Sequence, residues 1–130
     1  MSHGGVIQLV IASILGLMQA LKDLNMAYET KRQIESANGD FVNVDIVVKD
    51  ENNRSIGFQK QKDGRYKVIA DSKGLTSAQL KKQQQFINRI KQRYAYNMIV
   101  GELKKQGYQV TEEKKVEKDL VKLVARRWVG

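Results

Sequence analysis

One long helical pattern limits the architecture of this chain more than any other feature. Between Thr76 and Gly107 only Gly101 is a weak helix former, and the chain as a whole contains no proline. Thr76 or Ser77 suits the N-cap, where a short hydroxyl side chain accepts from a free backbone N–H. Gly107 suits the left-handed residue that follows a helix, and Tyr108 could then pack back on Leu103 as in a Schellman stop. Such a helix needs an apolar layer beneath its own apolar stripe, and the residues before it supply one. Phe41–Lys49 alternates, with Val42, Val44, Ile46 and Val48 facing one way and Asn43 and Asp45 the other. Strands at Ser55–Lys60 and Arg65–Asp71 follow, separated by turns at Glu51-Asn52-Asn53 and Asp63-Gly64. Asn38-Gly39 is a hairpin turn that makes residues 26–36 a further strand.

Val6–Ile11 is apolar and β-branched, as in a strand covered on both faces. Ser13 can then cap a helix running to about Asn25, with Ile14, Leu17, Met18 and Leu21 at helical spacing. After Gly107 the spacing predicts strands over about 108–115 and 119–128, joined by the charged turn EKKVEKD. This order predicts an α+β fold: an antiparallel sheet with a short N-terminal helix and one long helix packed on one face. A ferredoxin-like topology is one arrangement it allows. At 130 residues the chain fits a single domain, 1–130, large enough for a core without staples.

On a helical wheel Phe86, Ile87, Ile90, Tyr94 and Met98 fall within an arc of about 120°, which predicts a core stripe. Lys82, Arg89 and Arg93 flank it as a basic row. Tyr96 opens a second stripe with Ile99, Val100 and Leu103. The distal half of the helix is therefore apolar on two sides, which predicts burial between the sheet and the N-terminal helix or another subunit. The aromatics are explained by core packing. The basic row is a candidate surface for polyanions.

The formal charge is +9, and it is concentrated on this helix. Residues 76–107 hold seven basic residues against Glu102, a net of +6. Such a patch attracts nucleic acid, acidic protein surfaces or anionic lipid without choosing among them. Cysteine is absent and the one histidine is His3, so disulfides, thiol nucleophiles and histidine-rich metal sites are excluded. The pairs Glu112-Glu113 and Asp50-Glu51 read as surface charge, since neighbours on a strand point to opposite faces. GELKKQG lacks the spacing of a phosphate loop. The apolar run Val6–Leu21 is shorter than the roughly 20 residues of a spanning helix. It contains Gln8, Ser13 and Gln19, and no Lys or Arg precedes it. A membrane role is therefore not expected, and neither is a catalytic site, a metal or a cofactor.

Several segments, in order, resemble a known family. They are the opening MSH, ALKDL at Ala20–Leu24, IGF at Ile56–Phe58, DGRYKVIAD at Asp63–Asp71, INRIKQRYAY at Ile87–Tyr96, LKKQGYQV at Leu103–Val110 and RRW at Arg126–Trp128. Together they are similar to the hypothetical chloroplast reading frame thirty-five family, a conserved family of unknown function from algal plastids, cyanobacteria and other bacteria. The resemblance implies a cytoplasmic or stromal protein. Because some bacterial relatives are encoded near AAA-type ATPases, it also implies an accessory or adaptor role, and it supplies no catalytic residues. Two positions depart from the family pattern. Gly4 and Gly5 replace an aromatic and a small hydroxyl residue, and Ser72-Lys73 stand where many members carry tryptophan.

Two function classes follow. The first is a non-enzymatic module that docks on a protein, an AAA-type ATPase or its own copy, through Tyr96, Ile99, Val100, Leu103 and Trp128. The second is a nucleic-acid-binding protein using Lys82, Arg89 and Arg93 with Arg126 and Arg127. Trp128 shares a strand face with Val124 and Arg126 and reads first as a core or rim residue closing the last strand.

Overall fold

The computed structural model describes residues 10–116 and 120–127, with side chains described for residues 10–108. The chain runs α1 (Ile14–Asp23), β1 (Tyr28–Glu35), β2 (Phe41–Lys49), β3 (Ser55–Lys60), β4 (Tyr66–Ala70), α2 (Ser77–Lys105), β5 (Tyr108–Val116) and β6 (Leu120–Arg127). Strands β1–β4 form one antiparallel sheet in sequence order, and β5–β6 form a separate two-stranded sheet. The fold is α+β, as expected. Each strand of the larger sheet pairs with its neighbour in the chain, so it is a plain meander. The ferredoxin-like arrangement, which needs crossovers between non-adjacent strands, is not formed by these strands.

Local chemistry sets the helix ends. The Ser13 hydroxyl accepts from the Gly16 N–H at 3.1 Å and starts α1. Asn25 at φ 57° stops it two residues sooner than the apolar spacing predicts. Thr76 caps α2 in a reciprocal box: its hydroxyl accepts from the Gln79 N–H, and the Gln79 side chain accepts from the Thr76 N–H. At the far end Gly107 takes φ 84°, a conformation that costs glycine nothing, and its N–H reaches the Lys104 carbonyl at 3.1 Å.

The core lies between the helices and one face of the meander. Leu17, Ala20 and Leu21 of α1 and Phe86, Ile87, Ile90 and Tyr94 of α2 meet Ile46, Val48, Ile56 and Phe58 of the sheet. The proposed strand at Val6–Ile11 lies mostly outside the described residues. Val10 and Ile11 are not strand, but Ile11 is buried in this core and its carbonyl accepts from the Tyr66 N–H at 2.8 Å.

The alternation in β2 does not run its whole length. Ile46 and Val48 join the core under the helices, while Val42 and Val44 join a second cluster with Ile34, Val47 and Ile69. Val47 and Ile69 alternate with core residues, which places this cluster on the opposite face of the sheet. The switch falls at Asp45, between the pairs Thr30↔Ile46 and Arg32↔Val44. There Lys31 of β1 sits at φ 54°, and the Asp45 carboxylate accepts from the Lys60 N–H at 2.7 Å. Simple period-two reading carries Val42 and Val44 to the wrong face because it assumes regular backbone through that point.

Gly57 is notched into the second cluster. A Cβ there would lie 2.6 Å from both Ile34 Cδ1 and Val44 Cγ1, and 3.1 Å from Val44 Cβ. Gly57→Ala should therefore cost about 1–3 kcal/mol of stability through overpacking, against the usual gain from replacing a strand glycine. Urea denaturation of the two proteins measures it, and equal midpoints would show that the cluster yields freely.

Candidate functional site

The long helix gathers most of the residues that the sequence singles out. Its buried positions are Gln83, Phe86, Ile87, Ile90 and Tyr94, all in its first two-thirds. Tyr94 fixes α2 against the start of α1. Its hydroxyl accepts from the backbone N–H groups of Ala12 at 3.1 Å and Ser13 at 3.2 Å, and Gly16 of α1 leaves room for its ring. Beyond Tyr94 the helix runs another eleven residues to Lys105 with no buried side chain.

That corrects the expected burial between the sheet and the N-terminal helix. Met98 is 43% exposed and Ile99 37%, while Tyr96, Val100 and Leu103 are half-buried. Met98 lies on the predicted core stripe, but the buried positions of α2 end one turn earlier, at Tyr94. Strands β5 and β6 contact α2. Arg126 and Arg127 stand in β6 opposite Gln109 and Tyr108. Their side chains lie outside the described residues, as does Trp128 altogether.

The basic row is broken at Arg93. Its Nε donates to Asp23 Oδ2 at 3.1 Å, and its guanidinium lies 4.7 Å from the centroid of the Tyr96 ring. This cation ties α2 to the end of α1, where Asp23 also accepts from Asn97 and Gln19. Lys82 and Arg89 are exposed, and neither pairs with an acidic group among the described residues.

The hydrogen bonds from Asn97 and Gln19, with the Arg93 guanidinium, hold the Asp23 carboxyl below its ordinary value of 3.8. A carboxyl lowered in the folded state adds stability that is present above the unfolded value. That stability is lost as pH falls through the lower folded one. Asp23→Asn should thus destabilise the protein at pH 7 and reduce the loss of stability below about pH 4. Urea midpoints across that range for both proteins check it; parallel curves would refute it.

A polar cluster at the other end of α2 escaped the sequence reading. Asp50, expected as surface charge, is 7% exposed, and Gln83 is 4% exposed. Asp50 Oδ1 accepts from the N–H groups of Asn52 at 2.8 Å and Arg54 at 2.9 Å. Its Oδ2 accepts from Gln83 Nε2 at 3.1 Å, and the same amide reaches the Asp71 carbonyl at 3.0 Å. Arg54 closes the cluster by donating to Asp71 Oδ1 at 3.2 Å and the Lys73 carbonyl at 2.6 Å. The signal in the sequence was an aspartate opening a turn, a residue that bonds backbone two positions on. Both of its oxygens are engaged, so Asp50 holds the β2–β3 turn to α2.

Among the described residues no three His, Cys, Asp or Glu side chains converge as metal ligands. No helix there is long and apolar enough to cross a membrane. A groove of about 470 Å³ opens between the β1–β2 turn and β4, bordered by Asn38, Asp40, Gln59, Lys67 and Ile69.

These features define an α+β protein with two helices over one face of a four-stranded meander, the longer of them buried only as far as Tyr94. Residues 20–124 match the family model described as a protein of unknown function, DUF1257. The chain belongs to that family. It is 34% identical over 129 residues to the uncharacterized protein ycf35 of Cyanophora paradoxa, and 32% identical over 133 residues to that of Pyropia yezoensis. In both cases 98% of each chain is covered. No solved structure gives a significant match.

Proposed function

We propose that this protein is a non-enzymatic docking module that holds a protein partner on the distal half of α2. The observation that carries the reading is the exposure of Met98 and Ile99, beside half-buried Tyr96, Val100 and Leu103, on a stretch of helix with no buried side chain. Large apolar side chains grouped on one exposed stretch mark an interaction site more often than scattered ones do. An AAA-type ATPase, which the family resemblance implies, and a second copy are the two partners to consider. A cytoplasmic or stromal location belongs to the same reading.

A photo-crosslinking residue in place of Ile99 tests it in the native cells. A discrete protein adduct is expected at Ile99 and not at exposed Lys62 in the β3–β4 turn. Absence of an adduct at Ile99 would overturn the reading.

Nucleic-acid binding is the second reading, favoured by exposed Lys82 and Arg89. Because Arg93 is engaged with Asp23, the informative variant reverses only the other two charges. Binding through phosphate contacts would weaken steeply with salt and with Lys82→Glu/Arg89→Glu. We expect no binding of labelled single- or double-stranded oligonucleotides at physiological salt; submicromolar binding that the variant loses would put this reading first.

A further inference from the structure

The apolar and basic groups on α2, treated above as separate candidates, share one side of the helix. The buried residues Gln83, Phe86, Ile87, Ile90 and Tyr94 fix the direction of the core. Stepping about 100° per residue from them places Lys81, Gln85, Arg89, Gln92, Tyr96, Ile99 and Leu103 on the side away from it. Lys82 and Val100 border that side. The outer face is therefore divided along its length. Its first half is basic, with Lys81, Lys82 and Arg89 all exposed. Its second half is apolar.

We propose that this face takes an acidic amphipathic helix of a different protein, laid lengthwise, with apolar side chains over Tyr96, Ile99, Val100 and Leu103 and carboxylates over Lys82 and Arg89. The inference rests on the docking reading and names its partner's chemistry.

Charge selects the occupant. Exposed Lys81, Lys82, Arg89, Lys91, Lys104 and Lys105 lie on α2 against the one acidic residue Glu102, and none pairs with an acidic group among the described residues. A second copy would bring the same cations to the interface. Parallel, Lys81, Lys82 and Arg89 would meet their own kind; antiparallel, the basic half of each helix would lie on the apolar half of the other and leave both unsatisfied. Like charges face to face oppose association. A nucleic-acid backbone would satisfy the basic half but offers the aliphatic Ile99, Val100 and Leu103 nothing to pack on. A helix carrying both acidic and apolar side chains satisfies both halves, in the manner of an amphipathic helix laid along a complementary surface.

The test uses the full chain and a synthetic amphipathic peptide of roughly 23 residues, the span from Lys81 to Leu103. Leucines at helical spacing occupy one half and glutamates the same face of the other. Binding is followed by fluorescence anisotropy and by the peptide's gain of helix in circular dichroism. Saturable binding is expected. Ile99→Asp should weaken it about tenfold, from lost apolar burial. Lys82→Glu/Arg89→Glu should weaken it about fivefold or more, and a peptide with lysines for the glutamates should restore binding to that variant.

The inference is overturned if the lysine peptide binds the unmodified protein as well as the glutamate peptide does, or if Ile99→Asp changes nothing. It is also overturned if a single-stranded oligonucleotide binds more tightly and displaces the peptide. Absence of peptide binding, with the adduct at Ile99 retained, overturns the acidic helix and leaves the docking reading standing. Absence of both removes the two together.

Discussion

Asp50→Ala should lower the stability of the folded chain by about 3 kcal/mol. The carboxylate is buried and accepts from three donors: the N–H groups of Asn52 and Arg54, and the Gln83 amide. Asn52 is exposed, so water can replace its lost acceptor. Gln83 is 4% exposed and has no such recourse; an unsatisfied buried donor costs about 1–3 kcal/mol by itself. Opening the turn also loosens the Asp50 N–H to Arg54 carbonyl bond of 2.9 Å. Asp50→Asn should cost less, because one side-chain oxygen remains for the turn. Urea denaturation of both variants measures the pair. An alanine variant as stable as the asparagine variant would show that the turn bonds to Asn52 and Arg54 contribute nothing, since neither variant keeps an acceptor for Gln83.

Tyr94→Phe is the second large effect, at about 2 kcal/mol. The substitution keeps the ring and its packing and removes only the hydroxyl that accepts from the Ala12 and Ser13 N–H groups. These donors stand just before α1, ahead of its first hydrogen-bonded turn, where a helix has no internal acceptor to offer. Hydrogen exchange gives the specific readout. The Ala12 and Ser13 amides should exchange faster in the variant by more than the global loss of stability explains. Exchange that follows global stability alone would show that the hydroxyl is not their anchor.

Much of the fold was legible because it rests on short-range chemistry. The Thr76 cap, the Gly107 stop and the Asn38-Gly39 turn are each set by a residue and its near neighbours. The predicted core stripe of α2 holds through Tyr94. What failed depended on distance. Met98 keeps helical phase with Phe86 and Tyr94, yet phase does not reveal where the sheet beneath the helix ends. Val44 keeps strand phase with Ile46, yet it joins the other cluster, across a point where Lys31 takes φ 54°. Asp50 and Gln83 meet across 33 positions of chain, and no local pattern announces such a pairing. The candidate site was legible in part. Ile99 is exposed, whereas Arg93 is engaged by Asp23, a partner 70 residues away.

The stretch of α2 after Asn97 behaves as a lever arm. It is rooted where Tyr94, Arg93 and Asn97 grip the two ends of α1, and it reaches about 12 Å further to Lys105. A load applied along it is resisted at the root by those grips and by β5 and β6, which contact α2, while no α2 side chain beyond Tyr94 is buried against the four-stranded sheet. Substitutions at its exposed apolar positions, Met98 and Ile99, should therefore cost the fold little.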